Sequence, residues 1–319
     1  MPAPDAADLV HWPEDFGRRY TLFIDTEEEF DWSRPFSRDS HGVTALAALP
    51  EAHRRLAEAG AAPALFVDHP VAADPWAADR VRETGAPVGA QIHPWVNPPF
   101  EEPLSAPASY AGNLPLALFE AKLRVLTEGL SRAFGARPLA FRAGRYGVSP
   151  AMFATLARHG YRLDSSVRAG FDYRAEGGPD FTSVRNAAWR VDGLVELPLT
   201  TVFTGALRAR GARLHARLGA IPRGRGVFAR AGLLSRVPLT PEGVPVREAV
   251  EAIAVALGEG ERVLNFAFHS PSLVPGHTPY VHDAADLARF WRWWDKVLAE
   301  LDRRGVRAAS LDEVLGAAG

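Results

Sequence analysis

Short apolar runs that stop abruptly at a polar residue recur along the chain. Tyr20 to Ile24, Ala62 to Val67, Val88 to Ile92, Pro138 to Phe141, Tyr161 to Leu163, Leu194 to Leu199 and Val263 to Phe268 read as buried strands. Between them His41 to Gly60, Arg80 to Gly85, Leu116 to Phe134 and Pro150 to His159 carry helical spacing, the last opened by a proline and the first closed by a glycine. Strand and helix in turn imply parallel βαβ units, hence an α/β barrel or a doubly wound sheet. What sits at the strand ends favours a distorted parallel (β/α) barrel of about seven strands. Asp25, His93, Arg142, Asp164 and His269 each follow an apolar run directly. In a parallel barrel the carboxyl ends of the strands meet at one face, so these five residues are expected to converge there.

The first run ends in Asp25, Glu27, Glu28, Glu29 and Asp31. Carboxylates packed this closely repel one another and need a cation, an arginine or a shared proton. In extended backbone, residues two apart point the same way, which puts Asp25 and Glu27 together. A solvated acidic loop or a helix N-terminus is the plainer alternative. Two segments interrupt the alternation. Pro98 to Pro115 reads as a long loop near the site. Residues 205–236 form a basic insertion in which Arg208, Arg210, Arg213, Arg217, Arg223, Arg225, Arg230 and Arg236 are interleaved with bulky apolar residues. It reads as a solvated helical cover, or else as a surface for peripheral contact with an anionic membrane or an acidic glycan. Ala284 to Arg303 is an aromatic-rich helix, with Phe290, Trp291, Trp293 and Trp294 expected in the core.

Composition narrows the chemistry. The 319 residues, 47% hydrophobic and 23% charged, suffice for a large core, and a single barrel with its insertion accounts for the whole length. A net charge of -2 argues against a general nucleic-acid binder. With no cysteine, a bound metal must take His, Asp, Glu or Asn ligands, which points to a hard or borderline cation. The N-terminus, acidic and proline-rich, does not read as a signal peptide, and no run approaches the ~18 apolar residues of a membrane span. A cytoplasmic location is the expectation.

Taken together, IDTEEEFDW, QIHPWVNPP, FRAGRYG, LDSSV and FAFHSPSL resemble, in order and spacing, the motifs of the polysaccharide deacetylase superfamily. This is the NodB homology domain, carbohydrate esterase family 4, in the branch whose first motif reads DTEE. The resemblance runs from Tyr20 to Leu315 and implies a NodB-like barrel and a hydrolase acting on carbon–nitrogen bonds of acetylated carbohydrate. It implies Asp25 as general base, Arg142 as the arginine that holds it, Tyr146 as the backbone oxyanion donor, His269 as general acid and Asp164 as the acid that orients His269. It implies a divalent metal, zinc first, at Glu27 and His93. The second metal histidine of the family falls at Asn97, a weaker donor. Leu199 falls near the acetyl methyl, and Trp95, in the second motif, is a substrate-contact candidate.

Three functions follow as expectations. The first is a metal-dependent deacetylase of an N-acetylated sugar in a polysaccharide or lipid-linked glycan. The second, kept open by Asn97, is a metal-independent amidohydrolase on a small amide. The third is a glycan-binding pseudoenzyme, against which stands the joint presence of Asp25, Arg142, Asp164 and His269.

Overall fold

The computed structural model describes residues 1–31 and 34–319; Trp32, which closes the acidic motif, lies outside the described residues. In chain order the strands are β1 (Arg19–Thr26), β2 (Pro63–Val67), β3 (Val88–Ile92), β4 (Ala140–Ala143), β5 (Leu163–Asp164), β6 (Trp189–Val191), β7 (Leu194–Glu196), β8 (Thr201–Thr204), β9 (Ser235–Pro238), β10 (Val263–His269) and β11 (Arg307–Ala308). One curled sheet runs β10-β1-β2-β3-β4-β5-β7-β6, with β11 beside the start of β1. Its pairs are parallel except β6–β7, a hairpin turned by Asp192 and Gly193, both at positive φ.

The α/β class and the parallel order agree with the sequence reading, but the sheet is a half-barrel. Among the described residues no ladder joins β7 to β10. The gap is bridged at Asn265, whose backbone N–H donates to Thr200 Oγ1 (2.8 Å) and whose carbonyl accepts from Thr200 N (3.2 Å), and above all by its side chain. Asn265 of β10 donates to Ser165 Oγ (2.9 Å), Leu197 O (3.1 Å) and Pro198 O (3.2 Å), and accepts from Thr21 Oγ1 (2.9 Å). The expected strand Leu194 to Leu199 therefore stops at Glu196, and the residues after it close the barrel irregularly.

The period of two along each strand sorts side chains into two cores. Leu22, Ile24, Leu65, Val67, Ala90, Ile92, Phe141, Phe266 and Phe268 face outward, in one cluster with helices that include Leu49–Glu58, Leu116–Phe134, Val246–Gly258 and Ala284–Arg303. Phe290, Trp293 and Trp294 belong to that cluster, as expected. Phe23, Phe66, Ala140, Leu163, Val195 and Val263 face inward, and Val10, Phe16 and the last helix, Leu311–Ala317, plug the end where the strands begin. Full burial of each large apolar side chain stabilises by roughly 1.5–3 kcal/mol. Gly89 on β3 makes room for this interior, since a Cβ there would stand 2.8 Å from the Phe66 ring.

The basic insertion lies between β8 and β9, which pair antiparallel apart from the main sheet. It contains two short helices, Gly211–Leu218 and Gly224–Arg230. Its arginines divide. Arg236 turns inward onto Gly170 O and the Phe171 ring, and Arg225 Nε donates to His215 O, whereas Arg213, Arg217, Arg223 and Arg230 are exposed with Ile221 and Val227. No helix among the described residues is long and apolar enough to cross a membrane.

Candidate active site

Asp25 and His269 end neighbouring strands in register, both pointing inward, and both are held by partners of opposite charge. Arg142, at the inward position of β4, donates from Nη1 to Asp25 Oδ1 at 2.5 Å. Its other nitrogens are anchored on Ser165, Nε on the carbonyl (2.8 Å) and Nη2 on Oγ (3.1 Å). The guanidinium lies over the rings of Phe66 (4.7 Å) and Phe23 (5.5 Å), an apolar floor that fixes its plane. His269 Nε2 stands 3.6 Å from Asp25 Oδ2, while Nδ1 is 2.6 Å from Glu242 Oε2. Glu242 also accepts from the His269 backbone N–H and from Ser272 Oγ. Burial disfavours the imidazolium, but Glu242, and then Glu27 and Asp25, outweigh it and push His269 up to about 10.

The partner of His269 is thus Glu242, where the resemblance implied Asp164. Asp164 is in register with Phe141 and Glu196, on the outer face of the sheet, and the period of two turns it away from Arg142 and the cleft. There it accepts from Ser166 Oγ (2.6 Å) beside the buried Glu196, whose Oε1 accepts from Val167 N. Burial raises both carboxyls, and the charge of Asp164 raises Glu196 further. Its service to the site is indirect: Ser165 and Ser166, the next two residues, pin Arg142 and the Ala143 amide.

On the other side of Asp25 lie Glu27, Gln91 and His93. Glu27 Oε2 is 3.5 Å from His93 Nε2 and accepts from Gln91 Nε2 at 2.8 Å, while Gln91 Oε1 is buried without a partner. His93 Nδ1 is 2.7 Å from Glu28 Oε2, and Glu28 N donates to Asp68 Oδ2 (2.8 Å). Gly144 closes in on the ring so tightly that a Cβ there would come within 2.5 Å of Nε2. Burial pushes Glu27 up to about 8, and raises Glu28 and Asp68 as well. Among the described residues, Asp25, Glu27 and His269 form one group with ligand atoms within 4.8 Å of one another, and Glu28, Asp68 and His93 another. The donor set fits a divalent cation. Three buried carboxyls lack matching positive charge, and a carboxylate on Nδ1 leaves the other ring nitrogen of His93 aimed at Glu27, the arrangement that orients histidine ligands.

Two expected contributors are turned elsewhere. Asn97 donates its amide to Pro98 O (2.8 Å) and Lys122 O (3.1 Å), and does not line the cleft. It belongs to a hub around Lys122, whose buried ammonium donates to Pro94 O, Asn97 O, Pro99 O and Glu102. Trp95 stacks on His93 (4.5 Å between rings) and packs at a tilt against Phe30 and Phe36, so it backs the histidine.

The cleft above these groups measures about 320 Å³. Tyr146 lines it next to Ala143, and both Arg145 and Tyr146 sit at positive φ (56° and 59°), a strained pair that follows the end of β4. Leu199 lies beside a small cavity of about 40 Å³ that it shares with Leu239, Ala267, Tyr146 and His269. Sequence reasoning missed Glu242 and Gln91, placed Glu28 only within the acidic cluster, and gave no role to Asp68 or to His277, which lines the cleft 3.6 Å from Glu29. Gln91 carried a signal in its place two residues before His93 on the same face of β3, and Asp68 in its place directly after the apolar run Ala62 to Val67.

No family model matches the sequence, and no curated protein matches it. Among solved structures, a protein described as a polysaccharide deacetylase from Mycobacterium smegmatis aligns with a TM-score of 0.56 at 18% identity, covering 99% of this chain and 93% of that one. A GH57-type branching enzyme from Pyrococcus horikoshii aligns with a TM-score of 0.51 at 13% identity, covering 94% and 70%. A family 4 carbohydrate esterase from Streptomyces lividans aligns at 0.45 and 10% identity, covering 92% and 93%. At such identities the likeness speaks for the fold alone: the chain folds as a curled, NodB-like (β/α) half-barrel.

Proposed function

We propose that the protein is a hydrolase that removes the acetyl group from an N-acetylated sugar of a polysaccharide or lipid-linked glycan. The observation that carries this reading is the opposition of two dyads across one cleft, Asp25–Arg142 and His269–Glu242, with Asp25 Oδ2 and His269 Nε2 3.6 Å apart. Amide hydrolysis needs a base for water, a donor for the oxyanion and an acid for the departing nitrogen. Asp25 takes a proton from water as its oxygen bonds to the acyl carbon. The Tyr146 N–H donates to the carbonyl oxygen as charge develops there. His269, charged and fixed through Nδ1 by Glu242, gives its Nε2 proton to nitrogen as the carbon–nitrogen bond breaks, leaving acetate and the free amine. The small cavity beside Leu199 takes the methyl, and at about 40 Å³ it limits the acyl group to roughly acetyl size.

Glu27 and His93 would hold a divalent cation, with the Gln91 amide in reach, and when bound it would supply Lewis-acid polarisation of water and acyl oxygen. Oxygen donors with a single imidazole suit zinc or a harder ion such as manganese. Calorimetric titration with each ion should show one site that Glu27→Ala and His93→Ala both remove and that Asn97→Ala, provided it folds, retains. Acetate release by the metal-free protein at the rate of the loaded one would contradict the metal-dependent reading and support a metal-independent amidohydrolase.

A further inference from the structure

Three arginines line the cleft, and two have acids. Arg142 is on Asp25, and Arg145 is on Glu176. Arg168 has none: no ion pair among the described residues involves it, its Nε is buried without a hydrogen-bond partner, and its one side-chain contact of that kind runs from Nη1 to the Tyr173 hydroxyl at 3.3 Å. It is nonetheless held firmly. The backbone at Arg168 bridges to Leu199, and the guanidinium is clamped between the rings of Phe171 (4.1 Å) and Tyr146 (4.9 Å). The same Phe171 ring carries Arg236 at 3.5 Å, so two guanidinia share one aromatic. The acid next in the chain, Asp172, is taken by Arg174. Burial, and then the like charge of Arg168, pull Arg236 down to about 10.

A half-buried guanidinium with open donors, an immobilised plane and a second cation behind it is costly unless an anion comes to it. Arg168 borders both the main cleft and the small cavity beside His269, so an anion there belongs to the molecule being turned over. We propose that Arg168, with the Tyr173 hydroxyl, binds an anionic oxygen group on the substrate, a carboxylate or a phosphate, and makes the cleft selective for acidic over neutral acetylated sugars. The proposal rests on the deacetylase reading only for what occupies the other end of the cleft.

Direct binding tests it without turnover. Wild type, Arg168→Gln and Arg168→Lys are titrated by calorimetry with N-acetylglucosamine, N-acetylmuramic acid and N-acetylglucosamine 6-phosphate. The wild type should bind at least one acidic sugar about 10-fold or more tighter than the neutral one, the scale of one charge-assisted hydrogen-bonded contact. The preferred acid tells carboxylate from phosphate. Arg168→Gln should bring the acidic-to-neutral ratio close to one, and Arg168→Lys should restore part of it; melting curves identify any variant that fails to fold, and the Lys variant and the wild-type ratio then decide. Equal affinity for all three sugars, no binding of either acid at millimolar concentration, or an unchanged ratio in folded Arg168→Gln would overturn the proposal. Charge-selective binding without acetate release would uphold it and sink the deacetylase reading instead.

Discussion

His269 is surrounded by three carboxylates, and their order decides what it can do. Glu242 takes Nδ1, leaving Nε2 as the proton donor toward the cleft, where Asp25 and Glu27 keep it charged. Replacing Glu242 by Gln preserves shape but removes the charge that fixes the tautomer, so turnover should fall about 100-fold or more. Asp164→Asn, on the far side of the sheet, should cost turnover far less; kinetics of the two variants side by side would reverse the assignment if Asp164→Asn proved the worse. The raised carboxyls of Asp164 and Glu196 have their own signature. Unfolded, both carboxyls ionise near pH 4. Folded, burial, and for Glu196 the charge of its neighbour, hold the proton to higher pH, so folding takes up a proton and stability falls as pH rises through that window. Glu196→Gln removes the titration, and its melting temperature relative to wild type should rise from pH 5 to pH 8. A difference that does not change with pH would contradict the raised carboxyls. Asp25, Arg142, His93 and His269 were legible because each follows an apolar run at an inward position. Asp164 follows one too, but the sequence does not show which face of β5 is inward. Glu242 follows β9, a strand outside the main sheet, and its nearness to β10 depends on a return of the chain that no local pattern announces.

At the scale of elements, the segment after β3 is organised by a buried ammonium. Lys122, from helix Leu116–Phe134, reaches three carbonyls and Glu102 in the turn that begins at His93, where Val96 N and Asn97 N donate to His93 O. Lys122→Met should leave those acceptors and Glu102 unpaired, a loss on the order of 3–5 kcal/mol, and should weaken metal binding at His93 as the turn loosens. Denaturant unfolding with a calorimetric metal titration checks both, and a wild-type midpoint would contradict the hub. In sequence Lys122 is only one of two lysines, distinguished by nothing local, and Asn97 looks like a histidine position when its true neighbours are 25 residues away. The helix Leu116–Phe134 itself was fully readable, closed by Gly135 in the left-handed conformation. Strands of two or three residues, β5, β6, β7 and β11, are too short to carry a period; they exist because neighbours supply the ladder.

For the whole molecule, the parallel order places Asp25, His269, Glu27 and His93 on one rim, and the half-open closure at Asn265 lets the chain from the basic insertion bring Glu242 and Leu239 to that rim. Strand–helix alternation made the class and the shared rim legible; the opening was not, because scattered side-chain and backbone bonds stand there in place of a ladder. In the proposed reaction Asp25 and His269 cleave an acetamide on a sugar. Acetate release from N-acetylglucosamine oligomers and from their acidic counterparts, by wild type supplied with a divalent cation and by Asp25→Asn, tests it most directly. The wild type should release acetate steadily, and Asp25→Asn at least ~100-fold less at an unchanged melting temperature. Release by Asp25→Asn within a few-fold of wild type, or none by folded, metal-supplied wild type from any of these sugars, would contradict it.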